Sequence, residues 1–153
     1  MKIRTYILGI IVVMLLALWS YTGVVKLCNM AYNMDTMHKQ LFPGWIANIL
    51  AYLVPFGALG TAGLLLYRVR WGLWASVVLL SSFSVYIVVY LTEVFTKKTC
   101  SCAGIFAGVD YQGHLLFNTI MLCITGIALY INYIISNGEA ENRKESKQQT
   151  TYL

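Results

Sequence analysis

The reactive side chains of this 153-residue chain crowd into one stretch, Lys97-Lys98-Thr99-Cys100-Ser101-Cys102-Ala103-Gly104, with His114 and Asn118 shortly beyond it. Two cysteines one residue apart can close a disulfide or hold a soft metal ion. As a disulfide, Cys-x-Cys closes a smaller ring than Cys-x-x-Cys, departs further from relaxed geometry and is more easily reduced. It cross-links almost no chain, so it suits electron exchange better than stapling. Lys97 and Lys98 favour the thiolate, and His114 could carry the proton. Upstream, Glu93 could relay a proton or pair with Lys26. A Cu(I) or zinc reading has only His114 as an evident third ligand, so a closed metal site is under-supplied and none is expected.

The rest of the chain has to position that stretch, and its composition says where. Hydrophobic residues make up 59% of the chain and charged residues 11%, against about a quarter charged in soluble domains, so a membrane protein of one domain is expected. The net charge of +5 does not point to nucleic acid, because the basic residues stand singly or in pairs between apolar runs. Four cysteines, Cys28, Cys100, Cys102 and Cys123, do not form a small secreted disulfide framework. Cys123, inside an apolar run, reads as a buried small hydrophobe and Cys28 as a lone thiol at the end of a span.

Four apolar runs are long enough to cross a bilayer: Tyr6 to Val25, Gly44 to Tyr67, Gly72 to Phe95 and His114 to Ile135. The first is a retained span rather than a cleaved signal, and Lys26 ends it. Between the first two runs, Leu27, Met30, Met34, Met37 and Leu41 recur at helical spacing, which predicts an amphipathic helix on the membrane surface. That methionine series is read as an apolar face against lipid or the bundle, with a copper relay as the alternative. Pro55 predicts a kink in the second run, which also holds Gly57, Gly60 and Gly63, and the small residues from Gly57 to Gly63 predict close approach of a neighbouring helix there. Ser82, Tyr86, Tyr90 and Glu93 share one face of the third run and are expected to point into the bundle. His114, Asn118 and Thr125 share a face of the fourth. The fold expected is an all-α, integral membrane four-helix bundle over residues 1–135, with a polar, disordered tail over 136–153.

Lysine and arginine set the orientation. One side holds Lys2, Arg4, Arg68, Arg70, Arg143, Lys144 and Lys147, seven in all, and the other holds four, Lys26, Lys39, Lys97 and Lys98. The richer side is expected to be cytoplasmic, with both termini on it. The Cys100–Cys102 loop then faces outward, where disulfides persist.

Several segments resemble the MauE/DoxX family of redox-associated membrane proteins, in its Bacteroidetes-type form. They are Tyr21-Thr22-Gly23-Val24-Val25-Lys26-Leu27, Pro43-Gly44-Trp45, Trp71-Gly72-Leu73-Trp74-Ala75, and Cys100-Ser101-Cys102-Ala103-Gly104-Ile105-Phe106 followed by His114-Leu115-Leu116-Phe117-Asn118. The resemblance implies a four-helix membrane bundle, distantly similar in architecture to vitamin K epoxide reductase and DsbB-type thiol oxidases. It implies that Cys100 and Cys102 are the redox pair and that His114 and Asn118 are pattern polar residues of the fourth span. In the leading reading the pair passes electrons to a quinone held in the bundle near the kinked second span, with Asn118 and Tyr90 as candidate contacts and His114 and Glu93 as candidate proton carriers, although no motif establishes the quinone. A thioredoxin-like periplasmic protein or an exported thiol client would be the partner, at the inner membrane of a bacterium. The chain departs from the family pattern where Pro55 is followed by Phe56-Gly57-Ala58-Leu59 rather than a glutamate, and where Gly113 replaces a glutamine before His114. Glu93 is the candidate substitute for that glutamate.

The function expected is thiol–disulfide exchange supporting disulfide formation or maturation of exported proteins. Two alternatives stand beside it. One is a non-enzymatic membrane assembly or chaperone subunit that tethers a client, and the other is a small copper-handling protein.

Overall fold

A computed structural model describes residues 2–38, 43–91 and 111–151, and its elements are all helices. They are α1 (Lys2–Cys28), α2 (Met30–His38), α3 (Gly44–Tyr67), α4 (Val69–Leu91) and α5 (Tyr111–Thr151). Four segments are long and apolar enough to span a bilayer: Ile3–Cys28, Gly44–Tyr67, Val69–Val89 and Gly113–Gly138. A helix is the form such runs must take, because lipid offers no partner for a backbone N–H or carbonyl. The chain is thus an all-α, multi-pass membrane protein. The expected second span coincides with α3, while the other helices begin a few residues before their expected spans.

The helices stand in the order α1–α3–α4–α5 around the bundle, each packing along its neighbours, with α5 returning to α1. The α3–α4 corner is the tightest. Arg68 alone leaves the helical conformation, at φ −144° and ψ 92°, and its N–H bonds the Leu64 carbonyl at 2.7 Å. One turn on, Gly72 lies so close to α3 that a Cβ there would come within 2.5 Å of the Leu65 backbone nitrogen. Only glycine fits that crossing.

Across the centre, the Trp19 indole of α1 reaches α4 and donates to Ser76 Oγ at 2.9 Å, and its ring leans on Phe83 at 6.5 Å. Both Trp19 and Ser76 are buried, so the bond satisfies a donor that lipid could not. Ile11, Leu15, Ala58, Leu73, Leu80 and Met121 pack around them.

Three sequence expectations change at this level, and one holds in a narrower form. Of the small residues from Gly57 to Gly63, those that pack inward are Ala58, Thr61 and Ala62, on the same buried face as Ala47, Ala51 and Pro55, whereas a Cβ at Gly57, Gly60 or Gly63 would meet nothing within 4 Å. The close-approach glycines are Gly72 and Gly23, where a Cβ would lie 2.6 Å from Leu59 Cγ and 3.1 Å from the Pro55 carbonyl. The polar stripe of α4 does not face inward at Ser82, which is exposed and donates to its own helix at the Val78 carbonyl. A serine that bonds back four residues needs no bundle partner. The inward face is carried by Leu73, Ser76, Leu80 and Ile87 instead.

Nor does α2 stand apart as a surface helix. Asn29 keeps the helical bond to the Val25 carbonyl, and the Asn33 N–H bonds the Asn29 carbonyl at 2.9 Å, so α2 nearly continues α1. The antiparallel pairing with α3 then runs on without a shift, Gly23 against Leu59, Asn33 against Ala51 and His38 against Asn48. Met37 is buried against Ala47 and Ala51, with Met34 and Leu50 beside it. Of the two partners expected for this apolar face, lipid or the bundle, the structure shows the bundle, at α3. Finally, α5 runs as helix to Thr151, through the segment expected to be disordered. Its Glu, Ala, Lys, Arg and Gln residues favour helix and no proline interrupts them, so polarity alone did not decide the matter.

Candidate functional site

The site is built on the first turns of α5. His114 falls one turn inside the helix start at Tyr111 and is buried, with 9% of its surface exposed and its Nε2 shut off from solvent. Asn118 follows one turn later and is half-buried. Met121, Thr125 and Ala128 continue the same inward face, which packs against α4 and α1. Thr125 donates to the Met121 carbonyl at 2.7 Å, so its hydroxyl is satisfied within its own helix. The sequence spacing of His114, Asn118 and Thr125 therefore does place them on one inward face, with His114 and Asn118 nearest the helix start.

Among the other expected site residues, Cys100, Cys102 and Glu93 lie outside the described residues, as do Lys97 and Lys98. Tyr90 belongs to the last turn of α4 by its backbone. Chain connectivity fixes one relation: the segment carrying the cysteine pair leaves from the end of α4 and enters α5 just before His114.

The remaining thiols, Cys28 and Cys123, are free and exposed. Cys123 is therefore not the buried hydrophobe expected, since it sits on the outward face of a span opposite the His114 face. Among the described residues no group of three or more His, Cys, Asp or Glu side chains could hold a metal ion. The methionines of α2 do not form an open thioether cluster, since Met37 and Met34 pack on α3 and Met30 Sδ lies 4.0 Å from Asn33 Nδ2.

Sequence reading missed one polar cluster, where α2 meets α3. Lys26 Nζ donates to Asn33 Oδ1 at 3.4 Å, and Asn33 Nδ2 donates to the Ala51 carbonyl at 2.8 Å. Beside it, His38 Nε2 lies 2.7 Å from Asn48 Oδ1. Asn33 is thus one partner of Lys26, while the expected pairing of Lys26 with Glu93 falls on a residue outside the described ones. The signal was present in Pro55, which lacks the N–H that would point at Ala51, four residues earlier.

Residues 4–131 match the family model described as methylamine utilisation protein MauE. The chain belongs to the MauE family. The match runs from the start of α1 through the inward face of α5, and so takes in the cysteine stretch, His114 and Asn118. No curated protein and no solved structure matches the chain.

An imidazole and a carboxamide one turn apart on a shielded helix face can each donate a hydrogen bond to an oxygen acceptor.

Proposed function

We propose that this MauE-family protein is a membrane thiol–disulfide oxidoreductase whose Cys100–Cys102 pair takes electrons from an exported thiol protein. The observation that carries the reading is the order along one short stretch: a Cys-x-Cys pair, then a buried histidine on the inward face of a membrane helix. The orientation drawn from Lys and Arg puts both termini in the cytoplasm and the pair in the periplasm of a bacterial inner membrane.

In the first half-reaction a thiolate of a reduced thioredoxin-like partner attacks one sulfur of the Cys100–Cys102 disulfide, giving a mixed disulfide and one free cysteine thiolate. The partner's second thiolate then attacks the partner-side sulfur of that bond. The partner leaves as a disulfide, and Cys100 and Cys102 are left as two thiols, so two electrons and two protons have entered the chain. Lys97 and Lys98 favour the thiolate forms, and His114, as general base, receives the proton released when the reduced pair is reoxidised. Asn118 and Tyr90 would hold the electron acceptor near His114, and Glu93 would pass protons out of the site. A quinone bound there would supply a two-electron, two-proton sink.

Trapping tests the exchange. With Cys102→Ser, the remaining Cys100 thiol should accumulate as a mixed disulfide with a thioredoxin-fold partner, visible as a dithiothreitol-sensitive band whose partner mass spectrometry identifies. If neither Cys102→Ser nor Cys100→Ser traps such a partner, the pair does not exchange with one.

A further inference from the structure

Proline at position 55 removes one backbone donor from the middle of α3. In an α-helix that N–H would bond the carbonyl four residues earlier, which here is Ala51. Ala51 is fully buried, so its carbonyl has no access to water. In a neighbouring α-helix turn the gap would be filled by a side chain of the same helix or by a shift in the ladder. Here the Ala51 carbonyl accepts a hydrogen bond from the Asn33 side-chain amide at 2.8 Å.

Asn33 belongs to α2, and it is well placed to act as more than a casual contact. It is 4% exposed, and its other amide atom, Oδ1, accepts from Lys26 Nζ at the end of α1. A single carboxamide thus joins three helices, using its donor on α3 and its acceptor on α1. Alanines at 47 and 51 let α2 lie close enough for this, with Met37 filling the space above them. We propose that Asn33 is the surrogate for the N–H that Pro55 lacks, and that α2 is thereby a clasp on the proline break in α3. Lifting α2 deprives the Ala51 carbonyl and the Asn33 amide of each other at once, so the docking of α2 and the integrity of the outer half of α3 form one event.

The pairing makes a prediction that ordinary packing does not: the importance of Asn33 depends on residue 55. Hydrogen exchange of the α2 amides, followed by mass spectrometry on the full chain in lipid nanodiscs, reads it directly. Asn33→Asp keeps the shape and the acceptor for Lys26 but cannot donate to Ala51. It should speed α2 exchange about fivefold to tenfold, as expected for loss of one hydrogen bond, and Asn33→Ala should do the same. In a Pro55→Ala background the Ala51 carbonyl regains a donor from its own helix, so Asn33→Ala should then change exchange by about twofold or less. Equal effects of Asn33→Ala in the two backgrounds would overturn the proposal, as would native exchange in Asn33→Asp. If Asn33→Ala does not accumulate, its recovery on adding Pro55→Ala supports the clasp, and failure to recover contradicts it. The result is independent of whether the cysteine pair turns over.

Discussion

The middle of the bundle and the α2 end use polar groups in opposite ways. In the middle, Thr61, Ser76 and Thr125 each donate back to a carbonyl of their own helix, and Trp19 bonds across to Ser76. At the α2 end the carboxamide of Asn33 and the ring of His38 bind across elements, to α1 and α3. The difference follows from what each region has for partners. Deep in a span, a hydroxyl that satisfies itself locally leaves the surface free for close packing. At the α2 end the helix ladder is interrupted by Pro55, and satisfying it takes a neighbour. The middle is therefore chiefly a fitted scaffold, whereas α2 and the start of α5 present amide and imidazole groups away from their own helices.

The sharpest way to break that contrast is at the fitted seam. Gly72→Ala drives a Cβ into the Leu65 backbone, which cannot move aside as a flexible side chain would. It should cost about 3 kcal/mol or more, read as a large drop in Tm in detergent or as failure to accumulate. A native-like Tm would mean that α3 and α4 do not cross as described.

At the other region the expected loss is of activity rather than of fold. His114→Gln should slow reoxidation of the reduced Cys100–Cys102 pair about a hundredfold, the usual scale for a lost general base, equivalent to about 2.7 kcal/mol. Stopped-flow thiol quantification on a variant with near-native Tm checks it. An unchanged rate would make His114 a packing residue of the scaffold.

Smaller effects sharpen the picture of the middle. Ser76→Ala should cost about 1–3 kcal/mol because it leaves the buried Trp19 N–H without its acceptor. The same change at exposed Ser82 should stay within about 0.5 kcal/mol. Gly63→Ala, where the new Cβ meets open space, should raise stability by about 0.5–1 kcal/mol. A loss at Gly63 would mean that another helix packs on that face in the membrane.

These outcomes also show which features were legible in the sequence. Four spans, their order and the shared face of His114, Asn118 and Thr125 followed from length, hydropathy and a helical period, because a bilayer leaves few other forms for such runs. Which face of α3 is packed did not follow. Alanine and glycine both permit close approach, and only the register against α1 and α4 selects Ala58 and Ala62 over Gly60 and Gly63. Ser82 misled for a related reason, since a hydroxyl that bonds its own backbone can face lipid. The role of Asn33 was hidden because it depends on a partner, Ala51, that carries no polar side chain at all. The Cys-x-Cys motif was visible from the first, whereas its setting within 92–110 lies outside the described residues.

The measurement that bears most directly on the central claim is the redox state of Cys100 and Cys102 in native membranes, read by thiol alkylation and mass shift with and without respiratory quinone. A pair that is oxidised when quinone is present and accumulates as thiols when it is absent is the predicted result. A pair that holds one state under both conditions would contradict quinone-linked turnover and leave a static bridge or a tether in its place.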